Sequence, residues 1–197
     1  VCNSATGSIK LYIAGTLRID SGAIDLSGIT ALQRVRFYGG LVSIFGHGSY
    51  VSQVIVASES TIGMRLMTVV MTAAGANSAW ISDYTSVDEL VYSDTDFIYS
   101  DTADQIETMV GTAVGALTGY TLRAVAVTAR AKKGGGTGPQ SIQLALRSGG
   151  TDYFSASKAL DVGYGAFCNI WETDPATTLA WTNGAISSLQ YGVKSIA

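Results

Sequence analysis

The chain has 197 residues, 47% of them hydrophobic and only 14% charged, against roughly 25% charged in ordinary soluble domains. So apolar and weakly charged a chain collapses, which excludes disorder, and two prolines among 23 glycines exclude a collagen-like repeat. A net charge of −3 argues against nucleic acid as a partner, and no apolar run approaches the ~20 residues that a membrane-spanning helix needs, so membrane insertion is not expected.

Alternation, the mark of half-buried strands, dominates from the start. Ile9, Leu11 and Ile13 alternate with Ser8, Lys10 and Tyr12; Ala14-Gly15 turns the chain, and Leu17 and Ile19 alternate with Arg18 and Asp20. This predicts a hairpin, followed by a short strand at 23–26. A strand at 33–38 points Val35 and Phe37 inward, and strand-like runs follow at 41–45 and 50–57. Ala57-Ser58-Glu59-Ser60-Thr61 interrupts the strands and sets an expected boundary near 57–62, dividing the chain into 1–57 and 58–197. The first part offers about five strands, fewer than the eight of a jelly roll, and is expected to be completed by another chain or a missing segment.

In the second part, 102–110 reads as a possible helix, 120–132 as a long alternating strand, and 142–147 as a nearly perfect one. The run Gly134-Gly135-Gly136-Thr137-Gly138-Pro139 between them reads as a flexible hairpin loop. Its lysines precede the glycines and a strand follows, the reverse of a phosphate-binding loop. Ser148-Gly149-Gly150-Thr151 turns into Asp152-Tyr153-Phe154; closing strands are expected at 164–171 and 190–196, with one helical turn at 185–189. The fold class is therefore all-β, an antiparallel β-sandwich or jelly roll with an incomplete N-terminal portion.

Catalytic raw material is thin. His47 is the only histidine, and its flanking glycines place it at a loop tip. No spacing of Cys and His suits zinc, and no enzyme activity, cofactor or metal centre is expected. Cys168 reads as a buried free thiol, with a Cys2–Cys168 disulfide as the alternative. The first residue is Val1, consistent with a fragment or processed product.

The charges that are present are sorted. Between Arg65 and Arg123 there is no basic residue but eight acids, whereas from Arg123 onward seven bases face four acids. Three readings stay open: solvated acidic loops, calcium held by Asp94 and Asp96 with Asp88 and Glu89, and acidic and basic surfaces that meet between subunits. The candidate basic assembly surface is Arg123, Arg130, Lys132 and Lys133. Aromatics interleave with the acids, so Trp80, Tyr84, Tyr92, Asp94, Asp96 and Tyr99 form a candidate partner or glycan surface; the competing use of these rings is core or interface packing.

The segment from Ile142 through Tyr153, the turn Ile170-Trp171-Glu172-Thr173-Asp174-Pro175-Ala176-Thr177, the pair Trp181-Thr182 and the closing run from Ile186 through Lys194 resemble a family of tailed-bacteriophage virion proteins. The resemblance extends upstream to Val87-Asp88-Glu89 and Asp94-Thr95-Asp96-Phe97-Ile98 and covers roughly 85–197. The first fifty residues are similar instead to the last strands of a concanavalin-type, laminin-G-like jelly roll, through the hairpin Ser8 to Leu17. The resemblance implies a virion location and a structural role in tail, fibre, neck or capsid decoration. The implied partners are further copies of the chain and other virion proteins. A carbohydrate-binding module that attaches to a host-surface glycan is the alternative.

Overall fold

The computed structural model describes residues 64–197, except 116 and 118. Of the first 63 residues it describes residues 22 and 23 and the backbone of four short strands. The chain divides into two compact units, Val1–Met67 and Thr68–Ala197.

In the first unit, β1 (Thr6–Gly7) pairs antiparallel with β4 (Ile24–Asp25), and β2 (Lys10–Ile13) pairs with β3 (Thr16–Asp20). Ile13 stands opposite Thr16, so the expected hairpin forms with Ala14-Gly15 between its strands, and its register shifts between Leu11 and Tyr12. The strands expected at 33–38, 41–45 and 50–57, the boundary at 57–62, and Cys2 and His47 lie outside the described residues.

Among its described residues the second unit is all-β and antiparallel, with one α-helical turn and one 3-10 turn. Its larger sheet contains β5 (Met71–Ser78), β6 (Ile106–Gly111), β8 (Ser141–Ser148), β9 (Thr151–Phe154), β10 (Lys158–Ala159) and β12 (Gln190–Ile196). The order is β10-β8-β12-β6-β5, with β9 also on β8. β7 (Val125–Ala131) and β11 (Gly165–Trp171) form a separate two-stranded ribbon, Val125 opposite Trp171 and Ala131 opposite Gly165.

Period-two alternation explains where the core lies. Ile142, Leu144 and Leu146 of β8 point to one face, where they share a hydrophobic cluster with Val125 and Val127 of β7 and with Trp181, Ile186 and Leu189. Leu144 and Leu146 are fully hidden, each contributing about 1.5–3 kcal/mol by its removal from water. The turn α1 (Asn183–Ile186) delivers Ile186 to that cluster and is capped by Thr182, whose hydroxyl accepts from the Ala185 N–H at 3.2 Å.

Turn chemistry sets the β8–β9 hairpin. Gly149 and Gly150 both take positive φ, 57° and 83°, and so join Ser148 to Thr151 in two residues. The expected Asp-Pro turn forms as well: the Thr177 N–H donates to the Asp174 carbonyl at 3.2 Å. Asp174 is buried, and its Oδ1 accepts from the Ser148 hydroxyl at 2.7 Å and the Ala176 N–H at 3.0 Å. Trp181 Nε1 donates to the Trp171 carbonyl at 2.8 Å and closes the same loop.

Three expectations are corrected. Residues 106–111 form strand β6 between β5 and β12, because Glu107 and Met109 face one side and Thr108 the other, a two-residue period. The run 134–139 joins strands of different sheets, since β7 pairs with β11 and β8 with β9, β10 and β12; it is a crossover between sheets and not a hairpin loop. Cys168 is free and exposed, because on β11 Phe167 and Trp171 take the inward positions and put Cys168 outward.

β5 carries a bulge, because Ala74 pairs with Met109 and Ser78 with Glu107, four steps against two. Within it, Ala76 N–H donates to Gln190 Oε1 at 2.7 Å and Asn77 N–H to Thr108 Oγ1 at 3.0 Å. A Cβ on Gly75 would collide with the Thr108 carbonyl, so only glycine permits this approach.

Candidate functional site

Two residues from the acidic stretch and two from the basic one meet at one end of the β7/β11 ribbon. Outward alternation puts Arg130 and Lys132 on the same side of β7 and its continuation, opposite the face that carries Val125 and Val127. Arg130 binds Asp94 as a fork, Nε to Oδ1 at 2.6 Å and Nη2 to Oδ2 at 2.8 Å. Its guanidinium also lies 4.7 Å from the ring centre of Tyr92 and 5.1 Å from that of Tyr164. Lys132 sits 4.4 Å from the Tyr164 ring centre, and the Tyr164 hydroxyl donates to the Asp94 carbonyl at 3.2 Å.

The electrostatics follow this geometry. The hydrogen bonds from Arg130 hold the Asp94 carboxyl below its ordinary range, and Asp94 in turn raises the guanidinium. The pair remains open to solvent, with side-chain exposures of 27% and 45%, so its value is chiefly positional. It fixes an irregular segment, roughly 87–98, against the ribbon.

The other candidates are dispersed. Trp80 is half-buried against the hydrophobic cluster, with Nε1 donating to the Gln105 carbonyl at 3.2 Å. Tyr84 opens a short 3-10 turn, Tyr84–Ser86, capped by Asp83, whose carboxyl is lowered by the Thr85 hydroxyl and N–H. Tyr99 bridges Ile81 and meets Phe97 edge to face at 6.4 Å between centroids. Asp96 and Arg123 are exposed, and Lys133 is half-buried, its N–H donating to the Asp161 carbonyl at 2.9 Å. A second cross-segment ion pair joins Lys194 to Asp104 at 2.8 Å.

Sequence reasoning missed Tyr164. The signal was available: aligning the alternation of 125–131 against 165–171 extends to Tyr164 beside Lys132, one step past the last ribbon pair.

The acids of the calcium alternative are not gathered into one side-chain cluster among the described residues. Asp94 is committed to Arg130, and no three His, Cys, Asp or Glu side chains stand together among the described residues. No described helix is long and apolar enough to cross a membrane.

No family model, curated protein or solved structure matches the chain. The cluster therefore has to be read from its own chemistry. It holds a cation between two aromatic rings and neutralises it internally, which suits positioning a surface segment.

An exposed apolar run leads in the chain to this Arg130–Asp94 clasp. Leu90, Val91 and Tyr92 are exposed by 74%, 76% and 67%, three consecutive large side chains in water.

Proposed function

We propose that this chain is a structural subunit of a tailed-bacteriophage particle that works by self-assembly. The two sheets of its second unit are the layers of a sandwich or jelly roll, and further copies and other virion proteins are its partners. The observation that carries the assembly reading is the exposed run Leu90-Val91-Tyr92, pinned in place by Arg130 and Asp94. Burying such side chains between subunits recovers about 1.5–3 kcal/mol for each Val or Leu. Holding the segment in advance removes part of the ordering cost of association.

The virion setting rests on the resemblance across 85–197. Its motif residues are those that build this unit: Asp174 ties the turn to Ser148, Trp181 and Leu189 fill the cluster, and β12 lies between β6 and β8.

A glycan-binding module would draw on the same rings. Against it, Asp94 uses both carboxylate oxygens on Arg130, and a sugar platform has no need of Leu90 and Val91 in water. The test is light scattering of the purified chain, followed by its copy number in purified particles. Concentration-dependent assembly and many copies per particle are expected. A monomer that binds a glycan array through Tyr92 would transfer the role to attachment.

A further inference from the structure

Asn183 and Gly184 stand at the start of α1, and both are exposed. The Asn183 side chain has no hydrogen-bond partner among the described residues. Thr182 takes the next two N–H groups of the turn, that of Ala185 through its hydroxyl at 3.2 Å and that of Ile186 through its carbonyl at 3.3 Å. The Gly184 N–H is left without an acceptor among the described residues. The other described asparagines differ on each count. Asn77 is half-buried, donates through Nδ2 to Asp152 Oδ2 at 3.0 Å, and is followed by Ser78. Asn169 is half-buried in the β7/β11 ladder opposite Val127, and Ile170 after it is branched at Cβ.

We propose that Asn183-Gly184 is a site of spontaneous deamidation, and that its product loosens the corner where α1 enters the core. The inference goes beyond the assembly reading and does not rest on it.

The chemistry needs only this chain and water. The backbone nitrogen of Gly184 attacks Asn183 Cγ, unshielded because residue 184 has no Cβ. Its surroundings are open as well, since a Cβ there would find only Thr182 Oγ1, at 4.0 Å. A nitrogen–carbon bond forms, the Cγ–Nδ2 bond breaks, and Nδ2 leaves as ammonia with the proton given up by Gly184. Water then opens the cyclic imide. Opening at Cγ leaves aspartate; opening at the main-chain carbonyl leaves isoaspartate, whose backbone runs through Cβ and Cγ. The attack requires residue 183 to leave the helical conformation, and a single turn permits that. The bonds from Ile186, Ser188 and Leu189 that close the turn are each 3.3 Å, longer than the usual range.

The two products act differently. Aspartate adds a charge in the first turn, where the helix dipole favours an anion. Isoaspartate adds a backbone carbon ahead of Gly184, so Thr182 no longer meets both Ala185 and Ile186. Ile186 and Leu189 then lose their register with Trp181, in the cluster that joins β7 to β8.

The full chain is aged in mildly alkaline buffer, and peptide mapping by mass spectrometry follows amide-to-acid conversion at each asparagine. Labelling with an isoaspartate methyltransferase identifies the product. Asn183 is expected to convert several-fold faster than Asn77 and Asn169, chiefly to isoaspartate, and the urea midpoint is expected to fall as it accumulates. Gly184→Ala has room for its Cβ at an exposed position, so it should fold, convert several-fold more slowly at Asn183 and keep its midpoint on ageing. Asn183→Asp carries the charge without the extra carbon and should keep the parent's midpoint. Conversion of Asn183 no faster than that of Asn77 and Asn169 in the folded chain would overturn the site. An isoaspartate-rich chain with the parent's midpoint, or an equal loss on ageing in Gly184→Ala, would overturn its effect on the core.

Discussion

Asp174 offers the sharpest quantitative test, because a buried acid holds two loops through one oxygen. Asp174→Ala deletes the acceptor for the Ser148 hydroxyl and the Ala176 N–H. Ser148 is 2% exposed, so water cannot replace the lost partner without opening the β8–β9 hairpin. A buried donor left without an acceptor costs about 1–3 kcal/mol, and losing the turn's own N–H bond about 1 kcal/mol more, which makes roughly 2–4 kcal/mol in all. Ser148→Ala removes the hydroxyl and leaves Asp174 its backbone donor, so it should cost less. The double variant removes both groups at once, so its destabilisation should fall short of the sum of the two singles by about 1–2 kcal/mol. Urea denaturation, read as midpoint shifts at constant slope, measures all three. A loss under ~0.5 kcal/mol for Asp174→Ala, or strict additivity, would refute the argument that this hydrogen bond couples the two loops.

Other consequences concern Glu107, Gly192 and Arg130. Glu107 is 1% exposed, accepts from the Trp80 N–H at 3.0 Å, and has its carboxyl raised by burial. A raised carboxyl favours folding in acid, and the benefit is lost as pH climbs through the folded value. Glu107→Gln should therefore gain stability relative to the parent from acid to neutral pH; a flat or opposite trend in urea titrations counts against this. A Cβ on Gly192 would strike the Glu107 carbonyl across the β6–β12 ladder, so Gly192→Ala should cost at least the roughly 1–3 kcal/mol of overpacking, measured by thermal melting. Arg130→Ala should speed proteolytic cleavage within 87–98 while leaving the urea midpoint of the core nearly unchanged, and equal cleavage rates would remove the clasp's positional role.

The parts of the fold that show in the sequence are those where a strand has one greasy and one polar face. The β2–β3 hairpin, β8 and β12 announce themselves in this way. β5 does not, because Met71–Ser78 is a run of small residues interrupted by a bulge, with no size contrast between its faces. β6 is obscured for a different reason. It buries Glu107 on its core face, and an acid there erases the alternation that the neighbouring Met109 would supply.

The candidate site was half legible. Charge segregation identifies the groups, yet Asp94 and Arg130 are 36 positions apart in the chain. Only the folded structure tells that they meet within one subunit. The β7/β11 register turns Cys168 outward, where composition alone favours a buried thiol.

The outer side of β8 has one more consequence. Two short strands line it, β9 against 145–148 and β10 against 141–142, and Ser155 occupies the step between them. There the Ser155 N–H donates to the Leu144 carbonyl at 2.9 Å, while its hydroxyl accepts from the Leu144 N–H at 2.9 Å. A single serine thus does the work of a ladder rung while the chain changes course. The sheet margin is left broken into pieces of four and two residues. A margin of that kind is a poor template for an incoming strand from another molecule. Disordered edge-to-edge growth therefore finds no continuous row of free amides on that side.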